Sequence, residues 1–230
     1  MRRLLLGTVG ALVLAFAVTG AASAVTLTES GDAGSLPGDA QTTTGAVDLI
    51  AGALRAASDE DIYKICLTGG KTFSATTEGS QLVDPQLFLF DATGRGVYGN
   101  DDFSVDFSGL QSTLPAGHRL TPSAGGVYYL AISSFVNRPV SQGGQIFDYG
   151  PTSYPILEPI GPGSGSPVTG WSDDGFETGP YRIALTGTRP CLPTTKEECK
   201  NGRWRGFGFK NQGDCVSFVA TGGKNPPGGN

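Results

Sequence analysis

Glycine and proline interrupt this chain too often for it to build long helices. Its 230 residues include 36 glycines and 15 prolines, more than one residue in five. In a helix interior each glycine costs about 1 kcal/mol and each proline about 3 kcal/mol relative to alanine. A helical bundle or coiled coil is therefore excluded. With 12 Phe, 7 Tyr and 2 Trp the chain still has ample core-forming material, which argues against wholesale disorder. Short strands joined by turns are what such a composition can build.

Strand patterns run through the first two thirds. Val47, Leu49 and Ala51 alternate before Gly52, and although Asp48 to Ala57 also admits a helix, Gly52 inside it opposes that reading. Ile62, Lys64 and Cys66 alternate against Tyr63, Ile65 and Leu67, and Phe73 and Ala75 follow the Gly69-Gly70 turn. Gln86 to Phe90, Val127 to Ser133 and Tyr181 to Thr186 are apolar runs of strand length bounded by Gly or Asp turns. No helical pattern separates them, so the expected fold class is all-β, an antiparallel sandwich rather than a parallel α/β sheet. Between 137 and 180 the chain is rich in Pro, Gly and Ser, which reads as a functional loop or local disorder.

Arg2 and Arg3 precede the apolar run Leu4 to Val18, and Ala22-Ser23-Ala24 follows it, the pattern of a secretory signal peptide over 1–24. The run is short for a membrane span, no other stretch approaches the required length, and no Cys follows to carry a lipid. The expectation is a secreted, extracellular protein without a transmembrane anchor. Leu192 to Lys196 resembles a cell-wall sorting signal but lacks the closing Gly that signal needs.

Formal charge is −5 for the whole sequence and −7 once Arg2 and Arg3 are removed. It is unevenly spread. Lys196, Lys200, Arg203, Arg205, Lys210 and Lys224 make the C-terminal part basic, against Glu197, Glu198 and Asp214, so the body before them is strongly acidic. An acidic body without a basic stripe is a poor nucleic-acid binder, because neutralising phosphates supplies most of that affinity. It is a better host for divalent cations.

Four cysteines in an exported chain fit two disulfides, with three pairings open. Cys199 and Cys215 enclose a compact aromatic, Gly-rich segment and are expected to pair, leaving Cys66 and Cys191 to tie the tail to the body. A zinc site does not fit, since there is no Cys-x-x-Cys and one histidine.

Several motifs fail on context. Gly94-Arg95-Gly96-Val97-Tyr98-Gly99 has the spacing of a dinucleotide-binding loop, yet it leads into Asn100-Asp101-Asp102 instead of opening a helix. His118 lies in a turn-like stretch and no Gly-x-Ser-x-Gly elbow accompanies it. The acids point further, because calcium takes six to eight oxygens from carboxylates, carbonyls and water, often on loops. Glu29 and Asp32 with Asp59, Glu60 and Asp61 form the favoured cluster; Asp91 with Asn100, Asp101 and Asp102 forms a second. Trp171, Tyr149, Tyr154 and Phe147 fall in the Pro/Gly-rich stretch, where aromatics either form a platform for sugar or protein ligands or fold back over the sandwich.

Asp59-Glu60-Asp61-Ile62-Tyr63-Lys64-Ile65, Asp84 to Gly94, Asn100-Asp101-Asp102 and Gly125 to Ile132 together resemble bacterial pre-peptidase C-terminal domains. Glu29-Ser30-Gly31-Asp32 is similar to that family's Glu-x-Asn-Asp opening, with Gly31 in place of Asn. The resemblance covers roughly 29 to 188. It implies a jelly-roll-like β-sandwich that in some members binds calcium or an extracellular polymer such as collagen, with the calcium ligands mapping onto Glu29, Asp32, Asp59 and Asp61. The segment Cys199 to Val216 resembles a short C-terminal module of exported actinobacterial-type proteins.

The chain thus divides into the signal peptide, an acidic leader over 25–45, a sandwich over 46–190, a disulfide-closed module over 191–219 and a disordered tail over 220–230. The expected function is a secreted, non-catalytic binding or scaffolding module that uses calcium, engages an extracellular protein or polysaccharide, and touches the cell surface through its basic C-terminal module. The alternatives are a secreted hydrolase using acids such as Asp173 and Asp174, and a structural cell-surface or matrix protein. Adjacent acids on a strand point to opposite faces, which weighs against that pair.

Overall fold

The computed structural model describes residues 25–43, 45–102, 109–150, 155–172, 174–205 and 207–227; the signal-peptide reading over 1–24 falls outside them. In chain order the strands are β1 (Thr26–Thr28), β2 (Gln41–Thr42), β3 (Leu49–Leu54), β4 (Glu60–Leu67), β5 (Ser74–Thr76), β6 (Pro85–Asp91) and β7 (Gly96–Asn100). They continue with β8 (Thr113–Leu114), β9 (Gly126–Ser134), β10 (Pro139–Ser141), β11 (Gly144–Gln145), β12 (Ile156–Leu157), β13 (Gly170–Trp171) and β14 (Gly179–Thr186). Two short 3-10 turns (Glu197–Cys199 and Arg203–Arg205) and, among the described residues, one α-helix, α1 (Gln212–Ala220), follow.

The fold is an all-β sandwich. One sheet has the order β1-β3-β14-β5-β8, the facing sheet β12-β7-β6-β9-β4-β2, and a small third sheet β11-β10-β13. Except for the β6–β7 hairpin, the chain from β3 to β9 switches sheet at each connection, as in a jelly roll. Most pairs are antiparallel, but the leader adds two parallel ones, β1 on β3 and β2 on β4. The leader over 25–45 is therefore part of both sheets.

Pleat alternation explains where each side chain goes. On β4, Tyr63, Ile65 and Leu67 enter the core between the sheets, while Ile62 belongs to a second cluster on the outer face. On β6, Leu87 and Leu89 point inward and Phe88 and Phe90 outward, and all four are fully buried. A strand apolar on both faces needs a cover on each side. The stretch over 137–180 supplies the outer one.

The expectation of a structureless connection there is corrected: it forms the third sheet and lays Ile146, Phe147, Val168 and Trp171 against Phe88 and Phe90. Its glycines permit close approach. A Cβ at Gly96 would meet the side chains of Ile146 at 2.7 Å and Phe147 at 2.9 Å.

Both disulfides pair as expected, Cys66 with Cys191 and Cys199 with Cys215, at Cα separations of 5.1 and 5.6 Å. Such bonds indicate an extracellular or otherwise oxidising environment. No helix among the described residues is long and apolar enough to cross a membrane. The C-terminal module has its own small core of Cys199, Phe209, Cys215 and Phe218, with Trp204 and Phe207 packed against it. Helix α1 closes it, and its N-cap Asn211 accepts a hydrogen bond from the Asp214 backbone N–H.

The tail expected to be disordered over 220–230 starts inside this helix. Thr221 caps it, and the Gly223 N–H donates to the Phe218 carbonyl.

Candidate metal centre

Three of the four favoured ligands converge. Carboxylate oxygens of Glu29, Asp32 and Asp61 all lie within 4.8 Å of one another. Oxygens on one calcium coordination sphere, with Ca–O distances of about 2.4 Å, are at most about 4.8 Å apart, so the three fit a single ion of that size.

Each acid is placed by a different part of the chain. The Glu29 N–H donates to the Ala51 carbonyl, extending the β1–β3 pairing, and Glu29 Oε2 accepts from the Ala53 N–H at 2.8 Å. Asp32 sits on the exposed leader turn. Asp61, on β4, is fully buried; its Oδ1 accepts from the Ala33 N–H at 3.3 Å and its Oδ2 from the Tyr181 hydroxyl at 2.6 Å. Tyr63 completes the relay, with its hydroxyl 2.5 Å from that of Tyr181.

Burial pushes the Asp61 carboxyl up to about 7, the Tyr181 hydrogen bond opposes the rise, and Glu29 and Asp59 add to it. Burial likewise raises both tyrosines, which stay protonated donors. A carboxyl whose pKa is raised from 3.8 makes the folded state stable while protonated, and that stability is lost as pH climbs through about 7. In chelator the protein is therefore expected to melt at a higher temperature at pH 5 than at pH 8. Asp61→Asn should reduce that difference in paired thermal scans.

Arg55 already reaches into the cluster. Its Nη2 is 3.0 Å from Glu29 Oε1 and contacts the Gly31 carbonyl, and its Nη1 lies 3.7 Å from Asp32. One guanidinium offsets only part of the charge that three ionised carboxylates would carry. The Arg55 side chain is half exposed, so it is free to turn outward.

Gly52 makes the approach possible. A Cβ there would run into the Tyr181 hydroxyl and come within 2.7 Å of Glu29 Oε2. Gly52→Ala is expected to cost about 1–3 kcal/mol by overpacking and to weaken calcium binding at the same time. Denaturant titrations with and without calcium would check both effects.

Asp59, the fourth expected ligand, stands apart, because its Oδ2 accepts from the Arg55 N–H and closes the β3–β4 turn. Glu60 points to the opposite face, where the Asn137 side chain donates to it. Two further residues escaped the sequence reading. Arg55 and Gly52 are the base and the gap on which the cluster depends, and neither residue type signals a metal site.

The second cluster divides. Asp91 ends β6 and caps its own turn, with Oδ1 accepting from the Thr93 N–H and hydroxyl and the Arg95 N–H. Asn100 pairs with Leu87, four residues back along β6 or about 13 Å away at strand spacing. Its amide is spent on Thr113, Asp102 and Pro155 backbone groups. Asp101 and Asp102 lie beside it, both buried.

The aromatic platform is corrected as well. Trp171 is buried, packs edge-on against Phe88 and donates from Nε1 to the Ser35 carbonyl. Tyr149 lies beneath Arg138, whose guanidinium carbon is 3.8 Å from the ring centre. Tyr154 and Asp173 fall outside the described residues. Among the described residues the exposed aromatic is instead Phe176, stacked on Phe135 at 6.3 Å. Val83 is exposed nearby: Glu177 accepts from the Val83 N–H, and the Phe176 and Glu177 N–H groups both donate to the Ser134 hydroxyl.

His118 accepts from the Leu120 N–H at Nδ1 and stacks over Tyr98. The chain matches no known family model and no curated protein.

Proposed function

We propose that the protein is a secreted, non-catalytic β-sandwich of the pre-peptidase C-terminal type. A divalent cation, calcium by its oxygen donors, fastens the acidic leader to the sandwich, and the rigid body engages an extracellular protein or polysaccharide. The observation that carries this reading is the convergence of Glu29 and Asp32 from the leader with Asp61 from β4. The ion would hold the leader where its two short strands extend both sheets; the protein's part is to position and desolvate the carboxylates.

Support for a binding role comes from exposed Val83 and Phe176, the latter stacked on half-buried Phe135. Large apolar side chains held rigidly in water at one end of a sandwich are a ready contact for a partner. The basic C-terminal module, anchored to the body by Cys66–Cys191, is a second surface suited to an anionic cell envelope.

The test is retention of the full chain on immobilised collagen-type and polysaccharide polymers in calcium and in chelator. Calcium-dependent retention that weakens on Phe176→Ala is the expected result. Turnover of a glycan or peptide substrate abolished by one Asp→Asn change would replace this reading with a hydrolase. Concentration-dependent self-assembly in light scattering would replace it with a matrix protein.

A further inference from the structure

The outer face of the six-stranded sheet ends in a buried polar row. Glu60 on β4 pairs with Ser133 on β9, and Ser133 pairs with Gln86 on β6. Asp101, one residue past the Asn100 that faces Leu87, continues the row beside Gln86. Along β6 the same face carries Asp84, Gln86, Phe88 and Phe90 in alternation, so the polar row adjoins the aromatic cluster under the 137–149 segment. Glu60, Ser133, Gln86 and Asp101 are all buried.

Part of the row is satisfied from within. Asn137 donates to Glu60, and the Ser133 hydroxyl donates to the Asn137 carbonyl. Gln86 is not. It is fully buried, and neither its Oε1 nor its Nε2 has a hydrogen-bond partner. Asp84 Oδ1 and Asp101 Oδ1 are also buried without one. A buried polar atom left unpaired costs about 1–3 kcal/mol, more when charged, so three such oxygens at the same end of one sheet face call for a ligand.

Electrostatics says which kind. Burial raises the Asp84 carboxyl to about 7, with Asp101, Asp102 and Glu177 adding to it. Burial and Asp102 raise Asp101 to about 6, against the pull of Arg138 and the nearby Gln86 amide. The β6–β7 register, continued one step past Leu87 and Asn100, sets the Gln86 side chain across from Asp101, in keeping with that effect. Four acids face one guanidinium, and Arg138 is stacked on Tyr149 with no carboxylate within ion-pair distance among the described residues. Water would satisfy the oxygens but leave the charge these acids carry once pH exceeds their raised pKa values; a cation answers both.

We propose that Asp84, Gln86 and Asp101 form a second divalent-cation site of the hard-oxygen kind that calcium takes, on the outer face of the six-stranded sheet and independent of the leader cluster. Its donors are two carboxylates and one amide oxygen from adjacent strands. Such an ion would lock the start of β6 to the end of β7, close to the Val83 and Phe176 surface.

Calcium titration calorimetry on the full chain tests this, with Asp61→Asn, Asp101→Asn and Gln86→Leu beside the wild type. Two ions per wild-type chain are expected, and one in each variant, because each removes a single site. Gln86→Leu keeps the volume and deletes the amide oxygen, so it serves if Asp101→Asn fails to fold. Retention of the full wild-type stoichiometry in the Gln86→Leu chain would overturn the proposal and leave the row to buried water. Loss of all calcium on Asp61→Asn would overturn it equally. One ion per chain, lost on Gln86→Leu but not on Asp61→Asn, would uphold this site while removing the leader site.

Discussion

Adding calcium to the chelated protein is expected to raise its unfolding midpoint by roughly 5–10 °C. A ligand that binds only the folded state contributes about 2.7 kcal/mol at 100 times its dissociation constant, and in a domain of this size each kcal/mol moves the midpoint by about 2–4 °C. An ion at the leader cluster would bind only the folded state, because Glu29 and Asp61 are 32 residues apart in sequence and meet only when β1 lies on β3. Two opposing costs keep the shift finite. Arg55 must leave Glu29 and Asp32, and Asp61 must ionise in a buried position. Asp61→Asn should abolish this site's share of the shift, whereas Asp59→Asn should leave most of it, since Asp59 closes a turn. Wild type melting at one temperature in calcium and in chelator would reduce Glu29, Asp32 and Asp61 to docking groups for Arg55 and the leader backbone.

Most of the sandwich was legible because its strands carry strong local signals. Gln86 to Phe90, Val127 to Ser133 and Tyr181 to Thr186 lie within β6, β9 and β14. The run at β6 also held information that composition hid. Apolar side chains on both of its faces require a cover on each, and the Pro/Gly-rich stretch over 137–180 was the available material. Its prolines and glycines describe how the cover turns, not whether it is ordered, and of the two alternatives for its aromatics Trp171 follows the one that folds back over the sandwich.

At the sites, sequence identified the acids but not their grouping. Asp59 and Asp61 have equivalent spacing on paper, and what separates them is the β3–β4 turn, which takes the Asp59 carboxylate for a backbone N–H. Asp91 and Asn100 are near in sequence but at opposite ends of a hairpin arm. Gln86 was invisible, because an amide within an apolar strand signals nothing until its neighbours across the sheet are known. Helix α1 was missed in a chain rich in helix breakers, although Asn211 followed three residues later by Asp214 is a capping signal.

The two disulfides should differ in what they hold. Cys66 and Cys191 are 125 residues apart and join β4 of one sheet to the chain leaving β14 of the other, beside a hydrogen bond from the Arg189 N–H to the Cys66 carbonyl. In the loop-entropy account, a closure of that length restrains the unfolded chain by about 4–5 kcal/mol, and removing native disulfides costs about 2–5 kcal/mol. Cys199 and Cys215 are only 16 residues apart, a closure worth about 3 kcal/mol, and they hold a core that is separate from the sandwich. The Cys66→Ala/Cys191→Ala pair is therefore expected to lower the main thermal transition strongly. The Cys199→Ala/Cys215→Ala pair should leave that transition in place and lose hydrogen-exchange protection in α1 alone. The Lys64–Glu198 contact between module and body, 3.9 Å long and partly solvated, is too weak to link them. Equal lowering of the main transition by both pairs would instead make the module an integral part of the sandwich, with its basic face fixed relative to the acidic body.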